Sequence, residues 1–146
     1  MHENGKVEST ISSNIGYITF HHPKGNSLPG NLLEQLNKNI QEQSLNKDVK
    51  AIVLQSEGEK AFCAGASFDE LISIDDIESG RKFFMGFADV ILSMIRSPKF
   101  IVTRVQGKTV GGGVGLVAAS DYAFAVKDAS IKLSELALGI GPFVIE

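Results

Sequence analysis

Hydrophobic β-branched and aromatic residues interspersed with polar ones over two short opening stretches, Val7 to Ser12 and Ile15 to His21, predict two strands joined by a turn at Ser13-Asn14. The second stretch runs into His22-Pro23-Lys24-Gly25-Asn26, a loop by its Pro, Gly and Asn content. The spacing then changes to a helical one, with Leu32, Leu33, Leu36 and Ile40 on one face and Asn31 with Glu34 placed as an N-cap and capping box. Ala51 to Leu54 is a continuous apolar run, the pattern of a strand buried on both faces. A polar loop, Glu57 to Lys60, precedes the segment AFCAGASFDEL. A second helix is predicted with Asp75 and Glu78 at its start and an apolar stripe of Ile77, Phe84, Phe87, Ile91 and Met94, ending at Ser97-Pro98. Phe100 to Val105 is a further buried strand, Gly107 to Gly113 opens a third helix, and Tyr122 to Val126 and Ser130 to Leu133 are short strands. Alternating strands and helices predict a layered α/β fold in one domain spanning residues 1–146, with ligands beyond the carboxyl ends of the strands.

Composition narrows the function. The chain is 43% hydrophobic and 21% charged, with a net charge of −3, and its Lys and Arg residues are scattered, which argues against a nucleic-acid partner. The start, MHENGKVEST, lacks the apolar centre of a signal peptide, and Thr109 to Ala119 is too short and glycine-rich to span a membrane. A single cysteine, Cys63, forms no internal disulfide and points to a reducing cytoplasm. Cys63 with His2, His21 and His22 makes no zinc site at these spacings. Glycine is the informative excess: of 15, five fall between Gly107 and Gly115.

That glycine cluster has several interpretations. Gly113, Gly115 and Ala118 satisfy Gly-x-Gly-x-x-Ala, with Glu135 about 20 residues on, so a nicotinamide dinucleotide domain is one alternative. Gly107-Lys108-Thr109 lacks the earlier glycine of a phosphate-binding loop, since position 102 is Val102. Gly65 to Asp69 misses the final glycine of a nucleophile elbow. These glycines also suit simple close packing of a helix on a sheet. A further reading joins both Gly/Ala-rich segments. Backbone N–H groups at Ala66 and near Gly112, free of helical partners, converge on an oxygen that gains negative charge, and glycine lets a bulky thioester approach. Cys63 reads as a buried small apolar residue, and Phe83, Phe84 and Phe87 as core.

AFCAGASFDEL resembles the crotonase segment usually written AFCAGADLKEM. VQGKTVGGGVGLVAASDYAFAVKDASIKLSELALGIGP is similar to that family's INGxxxGGGxELALACDxxxAxxxAxFxxPEVxLGIxPG, and HHPKGNSL to its NRPKxxNAL. The resemblance covers almost the whole chain. It implies a crotonase-like ββα spiral, truncated before the C-terminal helical region that makes such enzymes trimer-based homo-oligomers. It also implies an acyl-CoA thioester as partner, with coenzyme A as the substrate's carrier and no permanently bound cofactor or metal. The thioester carbonyl would sit between the N–H groups of Ala66 and Gly112. Coenzyme A would run along Ala64, Gly65, Ala66, Ser67, Phe68 and Asp69, past Gly111 and Gly112 and near Lys24. The family's first catalytic glutamate falls on Gly115 and its second on Glu135, so isomerisation is expected over hydration; a binding module without turnover is the alternative. Ser67 stands where the family has aspartate.

Overall fold

The computed structural model describes residues 4–144; His2 lies outside them. The opening strands β1 (Lys6–Ser12) and β2 (Ile15–His21) pair antiparallel through a tight turn at Ser13 and Asn14, both with positive φ. Helix α1 (Gly30–Leu45) follows, then a unit that recurs. Strand β3 (Ala51–Ser56), strand β4 (Ala61–Cys63) and helices α2 (Phe68–Ile72) and α3 (Ile77–Arg96) form its first copy. Strands β5 (Phe100–Val105) and β6 (Lys108–Val110) with helix α4 (Gly112–Ala118) form the second. Strands β7 (Tyr122–Ala125) and β8 (Ile131–Lys132) lead into a 3-10 turn at Glu135–Leu138 as the third. Each copy gives its first strand to a five-stranded sheet of order β1-β2-β3-β5-β7 and its second to a three-stranded sheet of order β4-β6-β8. Apart from β1, all neighbours are parallel. The chain is therefore a ββα spiral in which strand ends of both sheets and helix starts recur at one level.

The core lies between the large sheet and helices α1 and α3. Ile18, Phe20, Ile52, Leu54, Ile101 and Val105 on the sheet meet Leu32, Leu36 and Ile40 of α1 and Phe87, Val90 and Met94 of α3. Because helices cover only one face, β3 alternates buried and half-buried positions instead of being buried on both faces, and β5 alternates buried positions with half-buried or exposed ones. The three-residue strands β4 and β6 go beyond the sequence pattern. Gly107 to Gly113 is first a strand and becomes helical only at Gly112.

Two helix starts also differ from expectation. Asn31 does not cap α1; Pro29 holds the cap position, and the free Gly30 N–H donates to both carboxylate oxygens of Glu70, at 3.1 and 3.0 Å. A cap supplied from 40 residues away leaves no local signature. The capping box of α3 is Asp76 with Ser79, one position beyond Asp75: the Asp76 carboxylate accepts from the Ser79 N–H at 2.7 Å, and the Ser79 hydroxyl oxygen accepts from the Asp76 N–H at 3.3 Å. Ile77, at the first turn of α3, is 91% exposed and lies outside the stripe.

Candidate active site

The Ala66 side of the site is built from main-chain bonds between two neighbouring segments. Ala64 N–H donates to the Gly25 carbonyl and Leu28 N–H to the Gly65 carbonyl, so His22–Leu28 and Ala64–Ala66 run side by side. Asn26, buried and at φ 56°, fixes the first of them: its Nδ2 donates to the Glu57 and Ala61 carbonyls, both at 2.8 Å, and its Oδ1 accepts from the His22 N–H. Gly65, at φ 92°, packs directly on the second Gly-rich segment. A β-carbon there would come 3.0 Å from the Val110 carbonyl oxygen and 3.7 Å from the Gly112 nitrogen. The two Gly/Ala-rich segments singled out in the sequence are thus in contact. Among the described residues, neither the Ala66 N–H nor the Gly112 N–H donates a hydrogen bond within the protein.

Glu135 is brought to the same place by the small sheet. Gly111 N–H donates to the Lys132 carbonyl at 3.0 Å, joining the Gly-rich loop to the end of β8, three residues before Glu135. The Glu135 main chain is pinned by its own carbonyl, which accepts from Ile140 N–H. Its Oε1 lies where a Gly111 side chain would begin, 3.0 Å from the β-carbon position, and Gly111 holds φ 54°. Its Oε2 is buried and has no hydrogen-bond partner. A buried carboxylate oxygen without a partner is costly in a structural residue and marks Glu135 as a candidate functional group.

These groups open on one cavity of about 230 Å³. Ala64, Gly65, Ala66, Ser67, Phe68, Gly111, Gly112 and Glu135 all line it. Lys24 and Asp69 line a second cavity of about 310 Å³, and Ser67 belongs to both, so every candidate residue falls on one of two adjoining spaces. Lys24 and Asp69 pair with each other, both largely exposed. In the second cavity burial lowers the His22 pKa, and the Lys24 charge adds to the effect. Its Nδ1 accepts from the Lys24 N–H and the Ser27 hydroxyl. Ser67 supports its loop by capping α2, its hydroxyl accepting from the Glu70 N–H.

Some lining residues were missed. Phe83 and Phe84 are not core; with Phe87 and Leu71 they form the apolar wall of the first cavity. Periodicity alone does not tell an inward face from a cavity wall, and three phenylalanines within five residues were the only signal. Gly115, by contrast, is buried inside α4 and is not part of the cavity lining. Gly113 likewise sits within α4 against Cys63, rather than in a strand-to-helix turn, which removes the dinucleotide reading. Cys63 is fully buried, and burial pushes its thiol up to about 12, so it is a packing residue. Among the described residues no group of three or more His, Cys, Asp or Glu is placed to hold a metal ion. Nor is any helix there long and apolar enough to cross a membrane.

The sequence profile of the family described as enoyl-CoA hydratase/isomerase matches residues 10–145. The chain belongs to that family. It is 31% identical over 139 residues to the bacillaene synthase dehydratase PksH of Bacillus subtilis, covering 93% of this chain and 52% of that protein. It is 31% identical over 129 residues to the short-chain-enoyl-CoA hydratase of Clostridium acetobutylicum, covering 88% and 49%. Among solved structures, a Legionella pneumophila protein assigned as an enoyl-CoA hydratase/isomerase (crotonase) superposes with a TM-score of 0.90 at 28% identity, over 97% of this chain and 56% of that one. The fold is thus that of the crotonases, and the chain spans about half the length of the relatives it matches.

Proposed function

We propose that this chain binds an acyl-CoA thioester and shifts protons on its acyl group through an enolate, as an enoyl-CoA isomerase more than as a hydratase. The observation that carries this reading is the unpartnered, buried oxygen of Glu135 in a cavity that also receives two free N–H groups, at Ala66 and Gly112. The thioester carbonyl accepts from both N–H groups, which stabilise the negative charge that develops on it, each donor being worth about 3 to 4 kcal/mol of barrier. Glu135 takes a proton from one carbon of the acyl chain and returns it to another, while the electron pair passes through the enolate and the double bond moves. Coenzyme A lies along Ala64 to Asp69, its phosphates within reach of Lys24 once that side chain leaves Asp69. No permanently bound cofactor is needed for this chemistry.

Hydration asks for more. A water that adds across a double bond is held and split by two acid–base groups, and Gly115 brings no side chain to the site. One carboxylate suffices for isomerisation, whereas hydration loses about 10²–10⁴-fold with its second group gone. The same glycine favours a second reading, a subunit that binds acyl-CoA without turnover. Comparing 3-enoyl-CoA isomerisation with 2-enoyl-CoA hydration in the protein and in Glu135→Gln decides among them. Isomerisation that exceeds hydration and vanishes in Glu135→Gln supports the proposal; faster hydration refutes it, and tight binding without either reaction leaves the binding module. The buried thiol suits a cytoplasmic setting, and a trimer-based homo-oligomer accords with the apolar surface left open on the large sheet.

A further inference from the structure

The wall of the first cavity carries a charge pattern that discriminates among thioesters. Phe68, Leu71, Phe83, Phe84, Leu138 and Ile140 supply apolar surface, and among the described residues Glu135 is the only ionisable side chain in the lining. Among the described residues no lysine, arginine or histidine lines the space. Lys24 borders the second cavity and is engaged with Asp69. Arg81 and Lys82, just before Phe83 on α3, are exposed and do not reach the lining. Glu135 itself has a buried oxygen with no donor among the described residues.

Resting on the acyl-CoA reading, we infer that this cavity selects thioesters with an uncharged, apolar acyl chain and rejects those whose acyl group ends in a second carboxylate. A distal carboxylate would give up its water for an apolar wall without a cation, which is unfavourable for any unpaired ion. It would also meet the Glu135 carboxylate, and two anions in one desolvated space oppose each other. An aliphatic tail of the same length gains contact with the phenylalanine wall instead. The discrimination is therefore built from repulsion of the charged ligand as much as from attraction of the neutral one.

Pentanoyl-CoA and glutaryl-CoA have the same reach, differ only in a terminal methyl against a carboxylate, and are saturated, so neither undergoes isomerisation or hydration. Calorimetric titration of the purified protein should give glutaryl-CoA an affinity lower by on the order of a hundredfold. The monomethyl ester of glutaryl-CoA should bind close to pentanoyl-CoA, which separates charge from size. Glu135→Gln should narrow the gap by removing the repelling charge, and Phe84→Arg, at a half-open wall position, should narrow it by adding a partner. Equal affinity for pentanoyl-CoA and glutaryl-CoA, or rejection of the methyl ester as well, overturns the inference while leaving the acyl-CoA reading intact. Binding of none of the three by folded protein removes both.

Discussion

Asn26 shows how one side chain holds a site it does not touch. It is buried at a positive φ, and its amide meets two carbonyls and one N–H on the loops that lead to Ala66. Asn26→Ala leaves those groups unpaired and strains the backbone, and should cost about 3 kcal/mol in urea unfolding. Cys63 offers a pH test. Burial raises its thiol from 9.0 to about 12, so above pH 9 the unfolded chain loses a proton that the folded chain keeps. Stability present below pH 9 should then fall as pH rises toward 12, by up to about 1.4 kcal/mol per pH unit. Urea midpoints measured from pH 8.5 to 10.5 should show that extra slope, and Cys63→Ala should lack it. At Gly112 even a substitution that keeps the backbone donor is not harmless: a β-carbon there would come 2.6 Å from the Phe87 ring. The burial of Cys63 followed from its letter and setting. The unpartnered oxygen of Glu135 did not, because partners come from the fold.

At the scale of elements, local signals succeeded where the pattern was long. β1, β2 and β5 and the apolar face of α1 stand where alternation and helical spacing place them. β4 and β6 have three residues each, too few for any period to register, and they exist because each pairs with neighbours far along the chain. The start of α1 is another long-range feature, since its cap is Glu70. That bond makes α2 the link between α1 and the cavity wall at Phe68 and Leu71. Glu70→Ala should therefore lower stability by about 1–2 kcal/mol. It should also weaken acyl-CoA binding, although Glu70 itself does not line the first cavity. Thermal melts read with pentanoyl-CoA titration test the pair of effects; a destabilised variant with unchanged affinity would separate α2 from the site.

For the whole molecule, strand-and-helix alternation predicted an α/β chain, but the spiral came from the family resemblance, because periodicity does not say which strands share a sheet. The spiral covers the large sheet on one face only. On the other, Tyr122 and Phe124 of β7 stand opposite Val102 and Arg104 of β5, with Phe100 two residues before Val102, and Phe100, Tyr122 and Phe124 are each more than half exposed. The Tyr122 and Phe124 rings pack at a tilt with centroids 4.9 Å apart, which makes a contiguous apolar patch. Such a patch favours association. Sedimentation velocity over a range of concentrations should show species larger than one chain, and Phe124→Lys should shift them toward the single chain. A strictly monomeric protein at all concentrations would contradict this.

The central claim is that Glu135 moves a proton next to a carbonyl held by main-chain donors, and deuterium exchange into a saturated thioester reads that step alone. Butyryl-CoA incubated with the protein in heavy water should take up deuterium at the carbon beside the carbonyl, without any hydration or double-bond shift. Glu135→Gln should slow the uptake by about 10²–10⁴-fold while butyryl-CoA still binds. Exchange at the same rate in Glu135→Gln, or none in the protein when butyryl-CoA is bound, would contradict the claim.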